Sequence, residues 1–357
     1  MSTMHSEQRI KTLLRTVEQQ CASDFHLTVG RYPTLRIDGK LLPLAQDSVL
    51  TPDDTLAISD ALLNEEQKKK LEDEGQVDFS YSFENKGRFR VNIFYQQGRI
   101  SVAMRLIPME IRTLEQLSIP EKVYDFTKFS QGLFLVVGPV GHGKSTTLAA
   151  LINEINHNQE KHIITIEDPI EYIYEQDKCI INQREVNQDS KDFHSALKAV
   201  FREDANVVLV GELRDLESIS TAITAAETGH LIFATLHTND SPQTIDRIID
   251  IFPPNQQNQV RMQLANSLIG VVSQRLISKV DGGRVPAVEI MIKNHAVENL
   301  IRENKAYQID NVIDTSAEEG MIPMDKSLAE LVRMGTVTID AARIYAKDPS
   351  NFENLMN

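Results

Sequence analysis

A chain of 357 residues is longer than one ordinary domain and suits two. Its composition, 41% hydrophobic and 25% charged, is that of a globular protein, and no stretch approaches the ~18 consecutive apolar residues of a membrane span. A formal net charge of −14 weighs against a nucleic-acid translocase while leaving room for a basic channel inside an acidic ring.

The first apolar residues, Ile10, Leu13, Leu14 and Val17, recur at helical spacing over residues 7–20 rather than in an unbroken run, so a helix and no signal peptide is expected. Cys21 and Cys179 lie far apart in no ligand-like spacing, which points to a reduced, cytoplasmic compartment. Leu35-Arg36-Ile37, the turn dipeptide Asp38-Gly39 and Leu41-Leu42 read as a hairpin. Thr51-Pro52-Asp53-Asp54 reads as a helix start, with an N-cap, a first-turn proline and acids at the positive dipole end, and the helix is expected to run to the charged stretch before Gly75.

Three period-two strands follow: Val77, Phe79, Tyr81 and Phe83; then, past the turn Asn85-Lys86-Gly87, Phe89, Val91 and Ile93; then Ile100, Val102, Met104 and Leu106. One polar face means an antiparallel sheet half open to something wet. Residues 108–125, with Pro108 and Pro120 and little periodicity, read as a linker between a domain over 1–107 and another over 126–357. Beyond it, near-continuous apolar runs at 133–137, 163–166, 207–210 and 231–233 alternate with helical stretches, the pattern of a parallel sheet buried on both faces in an α/β domain.

Four motifs carry chemistry. Gly138-Pro139-Val140-Gly141-His142-Gly143-Lys144-Ser145, followed by Thr146, satisfies G-x4-G-K-[ST] and lies between a strand and a helix, the context of a phosphate-binding P-loop. The glycines let backbone amides converge on phosphate, Lys144 neutralises the β/γ-phosphates of ATP, and Ser145 is placed to ligand Mg²⁺. His142 stands where most residues are allowed and is expected to face solvent. Glu167-Asp168-Pro169-Ile170-Glu171 ends the next strand, at the crevice where α/β sheets bind ligands, and its carboxylates are placed to hold Mg²⁺-bound waters; alone, such an acidic turn is more often a solvated loop or helix cap. Val207-Val208-Leu209-Val210-Gly211-Glu212 reads as a Walker B strand whose Glu212 suits the positioning or deprotonation of a water. His230 and His237 bracket a strand, and a rise of ~3.3 Å per residue keeps them more than about 20 Å apart. His237, at the carboxyl end, is the one expected at the γ-phosphate, and His230 is expected to pack.

In this order and spacing the motifs resemble the secretion ATPase superfamily of type II secretion and type IV pilus systems. Ala22-Ser23-Asp24-Phe25-His26-Leu27, Arg88-Phe89-Arg90-Val91-Asn92, the run Thr244-Ile245-Asp246-Arg247-Ile248-Ile249-Asp250 and Ser273-Gln274-Arg275-Leu276 extend the likeness over nearly the whole chain. The pilus-retraction branch is resembled most. The chain lacks the cysteines of the four-cysteine zinc site of extension and secretion ATPases, and Ala296-Val297-Glu298-Asn299-Leu300-Ile301-Arg302-Glu303 is similar to a retraction segment, departing at Val297 and, with a charge reversal, at Glu298. Val140 and His142 replace the family's usual Thr and Ser.

The resemblance implies an α/β protein with a PAS-like α+β domain before a RecA-like P-loop domain, assembled as a homohexamer. It implies Glu171 as metal support beside Ser145 and Glu212, and Arg90 and Arg105, with Arg88 behind them, as arginine fingers. It implies an ATP- and Mg²⁺-dependent motor at the cytoplasmic face of the inner membrane, working on a pilus platform protein, with a paralogous pilus ATPase as a further partner and no direct nucleic acid. An accessory pilus ATPase, a DNA-uptake or secretion motor, and a nucleotide-gated scaffold with little turnover are the competing readings.

Overall fold

The computed structural model describes residues 3–20, 22–37, 39–83, 87–107 and 110–356. Cys21, the turn residues Asp38, Asn85 and Lys86, and the linker residue Pro108 lie outside them. The chain divides into two compact units, residues 1–110 with 171–173, and residues 111–170 with 174–357.

The first unit is α+β and PAS-like. Helix α1 (Thr3–Gln19) buries Ile10, Leu13, Leu14 and Val17, the stripe its spacing marks out. Strands β1 (Asp24–Leu27), β2 (Thr34–Ile37), β3 (Lys40–Pro43), β4 (Gln76–Phe83), β5 (Gly87–Gln96) and β6 (Arg99–Ile107) form an antiparallel sheet in the order β3-β2-β1-β6-β5-β4. Between β3 and β4 the expected single helix is two, α2 (Pro52–Leu62) and α3 (Glu65–Glu74). Thr51 caps α2 in a capping box with Asp54. Leu63 then turns extended, and Asn64 starts α3 with its own capping box to Gln67, so a cap residue in mid-pattern outweighs the continuing helical composition. Gly75 ends α3 in the left-handed region.

The second unit is a RecA-like α/β fold. Its strands are β7 (Gly132–Val137), β8 (His162–Glu167), β9 (Ile180–Glu185), β10 (Val207–Val210), β11 (Leu231–Leu236), β12 (Leu268–Ser278) and β13 (Arg284–Ile292). They lie in the order β13-β12-β7-β11-β10-β8-β9, all parallel except the edge strand β13. Helices α4 (Lys144–Asn158), α5 (Phe193–Val200), α6 (Leu216–Glu227), α7 (Ser241–Asp250), α8 (Pro254–Ser267) and α9 (His295–Arg302) accompany the sheet. Every residue of β7, β10 and β11 is buried, as their unbroken apolar runs require. Helices α10 (Ile309–Thr315), α11 (Met324–Arg333), α12 (Ile339–Arg343) and α13 (Pro349–Met356) complete the chain, with Met324, Leu328 and Phe352 packed on Ile277, Val285 and Ala287 of the β12–β13 hairpin.

A partly buried cluster of one lysine and three carboxylates fastens this helical region. Lys347 Nζ lies 2.6 Å from Asp310, 3.3 Å from Glu289 and 3.7 Å from Asp240. Glu289, on β13, also accepts from the Ser241 amide at 2.9 Å and its hydroxyl at 2.8 Å. Burial pushes the Glu289 carboxyl up, and Lys347 and Ser241 pull against it. Lys347→Met strands Glu289 without its cation. The expected cost is about 2 kcal/mol in chemical denaturation, below the roughly 3–5 kcal/mol of a fully buried pair because the Lys347 side chain is 31% exposed. Adding Glu289→Gln to Lys347→Met recovers part of that loss, as expected of directly coupled sites.

Candidate functional site

The phosphate loop owes its shape to three glycines with positive φ: Gly138 at +145°, Gly141 at +78° and Gly143 at +81°. At two of them space adds to conformation. A Cβ on Gly138 would stand 2.5 Å from the Gln274 carbonyl, and one on Gly143 would stand 2.9 Å from Gln274 Nε2, whereas nothing lies within 4 Å of that position on Gly141. Helix α4 starts at Lys144 with glycine at its N-cap, so no side chain competes for the first-turn amides. Ser145 and Thr146 are half-buried on that turn, and Pro139 and Val140 form the outer loop, Val140 being 80% exposed.

Lys144 is buried, and Nζ donates to the carbonyls of Gly138 at 2.9 Å and Pro139 at 3.0 Å. It also lies 3.1 Å from Nδ1 of His237, at the carboxyl end of β11. An ammonium only donates, so Nδ1 accepts and the ring proton sits on Nε2. Nε2 is 3.2 Å from Glu212 Oε1, and Glu212 Oε2 is 2.7 Å from Arg214. Lysine, imidazole, carboxylate and guanidinium therefore form one line across the ends of β7, β11 and β10. Strand β11 seats the carboxylate: Thr235 Oγ1 donates to the Gly211 carbonyl at 2.5 Å and the Leu213 amide to the Thr235 carbonyl at 3.1 Å. Burial alone would raise the Glu212 carboxyl, but the hydrogen bond from Arg214 and the neighbouring His237 take it below the ordinary carboxylate range. The same pairing raises Arg214. A carboxylate kept ionised beside a phosphate loop can orient a water and take its proton.

The sheet thus brings together the loop, Glu212 and His237. It places His230 at the other end of β11, edge-on to Phe201 at 5.5 Å, in a packing position. It divides the acidic segment. Glu167 ends β8, buried, accepting from Thr165 Oγ1 at 2.7 Å, and its Cα lies 3.4 Å from where a Gly211 Cβ would stand. Glu171 is exposed, in the 171–173 stretch that groups with the first unit. His142 departs from expectation. It is half-buried, its ring accepting from the Leu276 amide, because β12 runs close beside the loop.

The sequence gives no role to Arg214, Thr235 or Gln274. Gln274 is buried, donates to the His142 carbonyl at 2.8 Å and accepts from Thr147 Oγ1 at 2.8 Å. The only signal was its place in the Ser273–Leu276 motif. Beside it a cavity of about 430 Å³, lined by Arg112, Ile119, Thr146, Gln274 and Arg284 among others, is of ligand size.

The arginines of the first unit share one face of its sheet. Arg105 stands opposite both Asp24 and Arg90, and Asp24 also stands opposite Arg36. Asp24 takes Arg105 at 2.9 Å and Arg36 at 3.6 Å, while Arg90 comes only within 4.0 Å of Asp78. Directly opposed like charges destabilise a sheet, so Arg90 against Arg105 is an arrangement that an anion would relieve.

A glycine loop between a buried strand and a helix, with a strand-end carboxylate and histidine joined to its lysine, defines a P-loop nucleotide hydrolase. The chain belongs to the type II/IV secretion system protein family, whose model matches residues 2–306. It is 44% identical to the Pseudomonas aeruginosa type IV pilus retraction ATPase PilT, covering 96% of this chain and 99% of that one. It is 43% identical to a twitching motility protein of Neisseria gonorrhoeae, over 95% and 91% of the two chains. The crystal structure of the pilus retraction motor PilT with bound ADP superposes with a TM-score of 0.91 at 47% identity, over 97% of this chain and 99% of that one. Among the described residues no helix is long and apolar enough to cross a membrane.

The glycine geometry makes an ordered prediction. Gly138→Ala and Gly143→Ala, which meet Gln274, lose nucleotide affinity by tenfold or more (about 1.4 kcal/mol or above) in a fluorescent-nucleotide titration. Gly141→Ala, strained in φ alone, loses less.

Proposed function

We propose that this chain is a motor ATPase that hydrolyses ATP to power retraction of a type IV pilus, disassembling pilin and driving twitching motility. The observation that carries the chemistry is the line Lys144–His237–Glu212 at the phosphate loop. The task rests on the family and on the near-complete overlap with retraction ATPases.

Lys144 is held by neutral carbonyls, which an anionic phosphate outcompetes as acceptor. Backbone amides of the glycine loop and the α4 terminus bind the remaining phosphate charge. Glu212 takes a proton as the water oxygen bonds to the γ-phosphorus and the bond to the β,γ-bridging oxygen breaks, releasing ADP and phosphate. His237, bonded to both lysine and carboxylate, links occupancy of the γ-position to the state of the base. Among the described residues no three acidic, histidine or cysteine side chains converge as a metal cage, and the Mg²⁺ of a nucleotide needs none. In this reading Ser145 and Glu212 would offer hard oxygens to the ion, with Glu171 as support, and the ion would neutralise phosphate charge when bound.

Arg90 and Arg105, with Arg88 beside them, act as arginine fingers in this reading. The functional division is a PAS-like domain over 1–107, a linker over 108–125 and an ATPase domain over 126–357, assembled as a homohexamer. It works in the cytoplasm at the inner-membrane face, on a pilus platform protein and alongside a paralogous pilus ATPase.

Glu212→Gln is expected to lower phosphate release by about 10²–10⁴-fold, the range for losing a general base, with nucleotide binding retained; unchanged turnover would remove Glu212 from that role. In cells, deletion of the gene should leave pili that extend but do not retract, and persisting retraction would favour an accessory motor. Arg90→Ala combined with Arg105→Ala should cost about 10²-fold or more in turnover, toward the range of arginine fingers, without unfolding the first unit.

A further inference from the structure

Residue His142 is held far more firmly, at backbone and ring alike, than a phosphate loop requires of it. Its carbonyl accepts from Gln274 Nε2 at 2.8 Å, and its Nδ1 accepts from the Leu276 amide at 2.9 Å. The ring stands edge-on to Tyr345, with centroids 5.9 Å apart and planes at 75°. One residue earlier, the Gly141 carbonyl accepts from Arg284 at 3.3 Å. Strand β12, strand β13 and the segment just past α12 thus all hold the crown of the loop. Tyr345 in turn packs on the cluster of Ile277, Val285, Leu328 and Phe352 that seats the C-terminal helices.

Nδ1 can accept an amide only while unprotonated, so the neutral ring is the working form. The charged and titratable groups facing it are Lys144 of α4, Arg275 of β12, Arg284 of β13 and Tyr345. Burial first, and then the three cations, hold its pKa below the usual histidine range, in keeping with that form. A glycine-rich loop is costly to order, and groups that order it beforehand strengthen what it binds.

We propose that His142 is a positioning residue for the phosphate loop, fastening its crown to β12 and to Tyr345, so that the hold on nucleotide phosphates depends on how the C-terminal helices are seated. The inference rests on the reading of residues 138–146 as a nucleotide-phosphate loop. Neither the G-x4-G-K-[ST] pattern, which leaves this position open, nor the hydrolytic chemistry at Glu212 calls for it.

The test is a fluorescent ATP-analogue titration and steady-state phosphate release on the full chain, with thermal unfolding as a control, for the wild type, H142A, H142N and Y345A. H142A is expected to raise Kd and KM about tenfold. H142N, whose amide oxygen replaces Nδ1 as acceptor, recovers most of that loss. Y345A, remote from the phosphates, raises KM about threefold while kcat at saturating ATP stays within twofold of wild type. Wild-type affinity in either H142A or Y345A overturns the proposal, as does an H142N no better than H142A. Should H142A fail to fold, Y345A decides: wild-type affinity there overturns the proposal. A wild-type chain that neither binds nor hydrolyses ATP would instead refute the ATPase reading, an outcome separate from all of these.

Discussion

The contact on which the rest of this protein depends is that of the Lys144 ammonium with the His237 ring, continued to the Glu212 carboxylate. It exists because β7, β11 and β10 are parallel neighbours in fixed register. Val137, the last residue before the loop, lies beside Leu236, the last before His237, and Val210 lies beside Ala234. The three strands therefore deliver lysine, imidazole and carboxylate to one edge. Parallel strands buried on both faces tolerate little slippage, since every side chain is packed. The core of the second unit thus does more than stabilise it, for its packing sets the spacing of the lysine–histidine–glutamate line.

A second constraint comes from β12. It runs beside β7 and presses Gln274 against Gly138 and Gly143, which explains why those positions must be glycine while Gly141 is glycine for conformation alone. The same hairpin carries Glu289, which holds Ser241 at the start of α7, four residues past His237, and receives Lys347 from the C-terminal helices. Loop, histidine turn and helical region share one scaffold, so the phosphate loop and the histidine turn are held by elements far from them in the chain.

The first unit shows a different economy. Its apolar face is an ordinary core, but its polar face sets Arg90 opposite Arg105 and leaves Asp24 to neutralise Arg105 and Arg36. An excess of guanidinium on a rigid strand surface is a poor way to stabilise a sheet and a good way to present charge to phosphate.

Much of this was legible in order along the chain. Glycine spacing announces positive φ, unbroken apolar runs announce strands buried on both faces, and Thr51-Pro52-Asp53-Asp54 announces a helix start, because each depends on the preferences of neighbouring residues. The break at Asn64 was equally local, a cap hidden in a helical composition. The edge strand β9, the β12–β13 hairpin and the contacts of Arg214 and Gln274 carry no such local sign. His142 reads as solvent-facing in the sequence because nothing near it in the chain announces β12 beside the loop. Lys144 and His237 lie 93 residues apart and His142 and Leu276 134 apart. Periodicity says that strands exist but not which lies beside which. The sequence by itself determined the loop, its lysine and the strand-end carboxylate and histidine, since each is specified by its immediate neighbours. Their union into one site was decided only by the tertiary structure, because strand order and register come from packing the whole sheet at once.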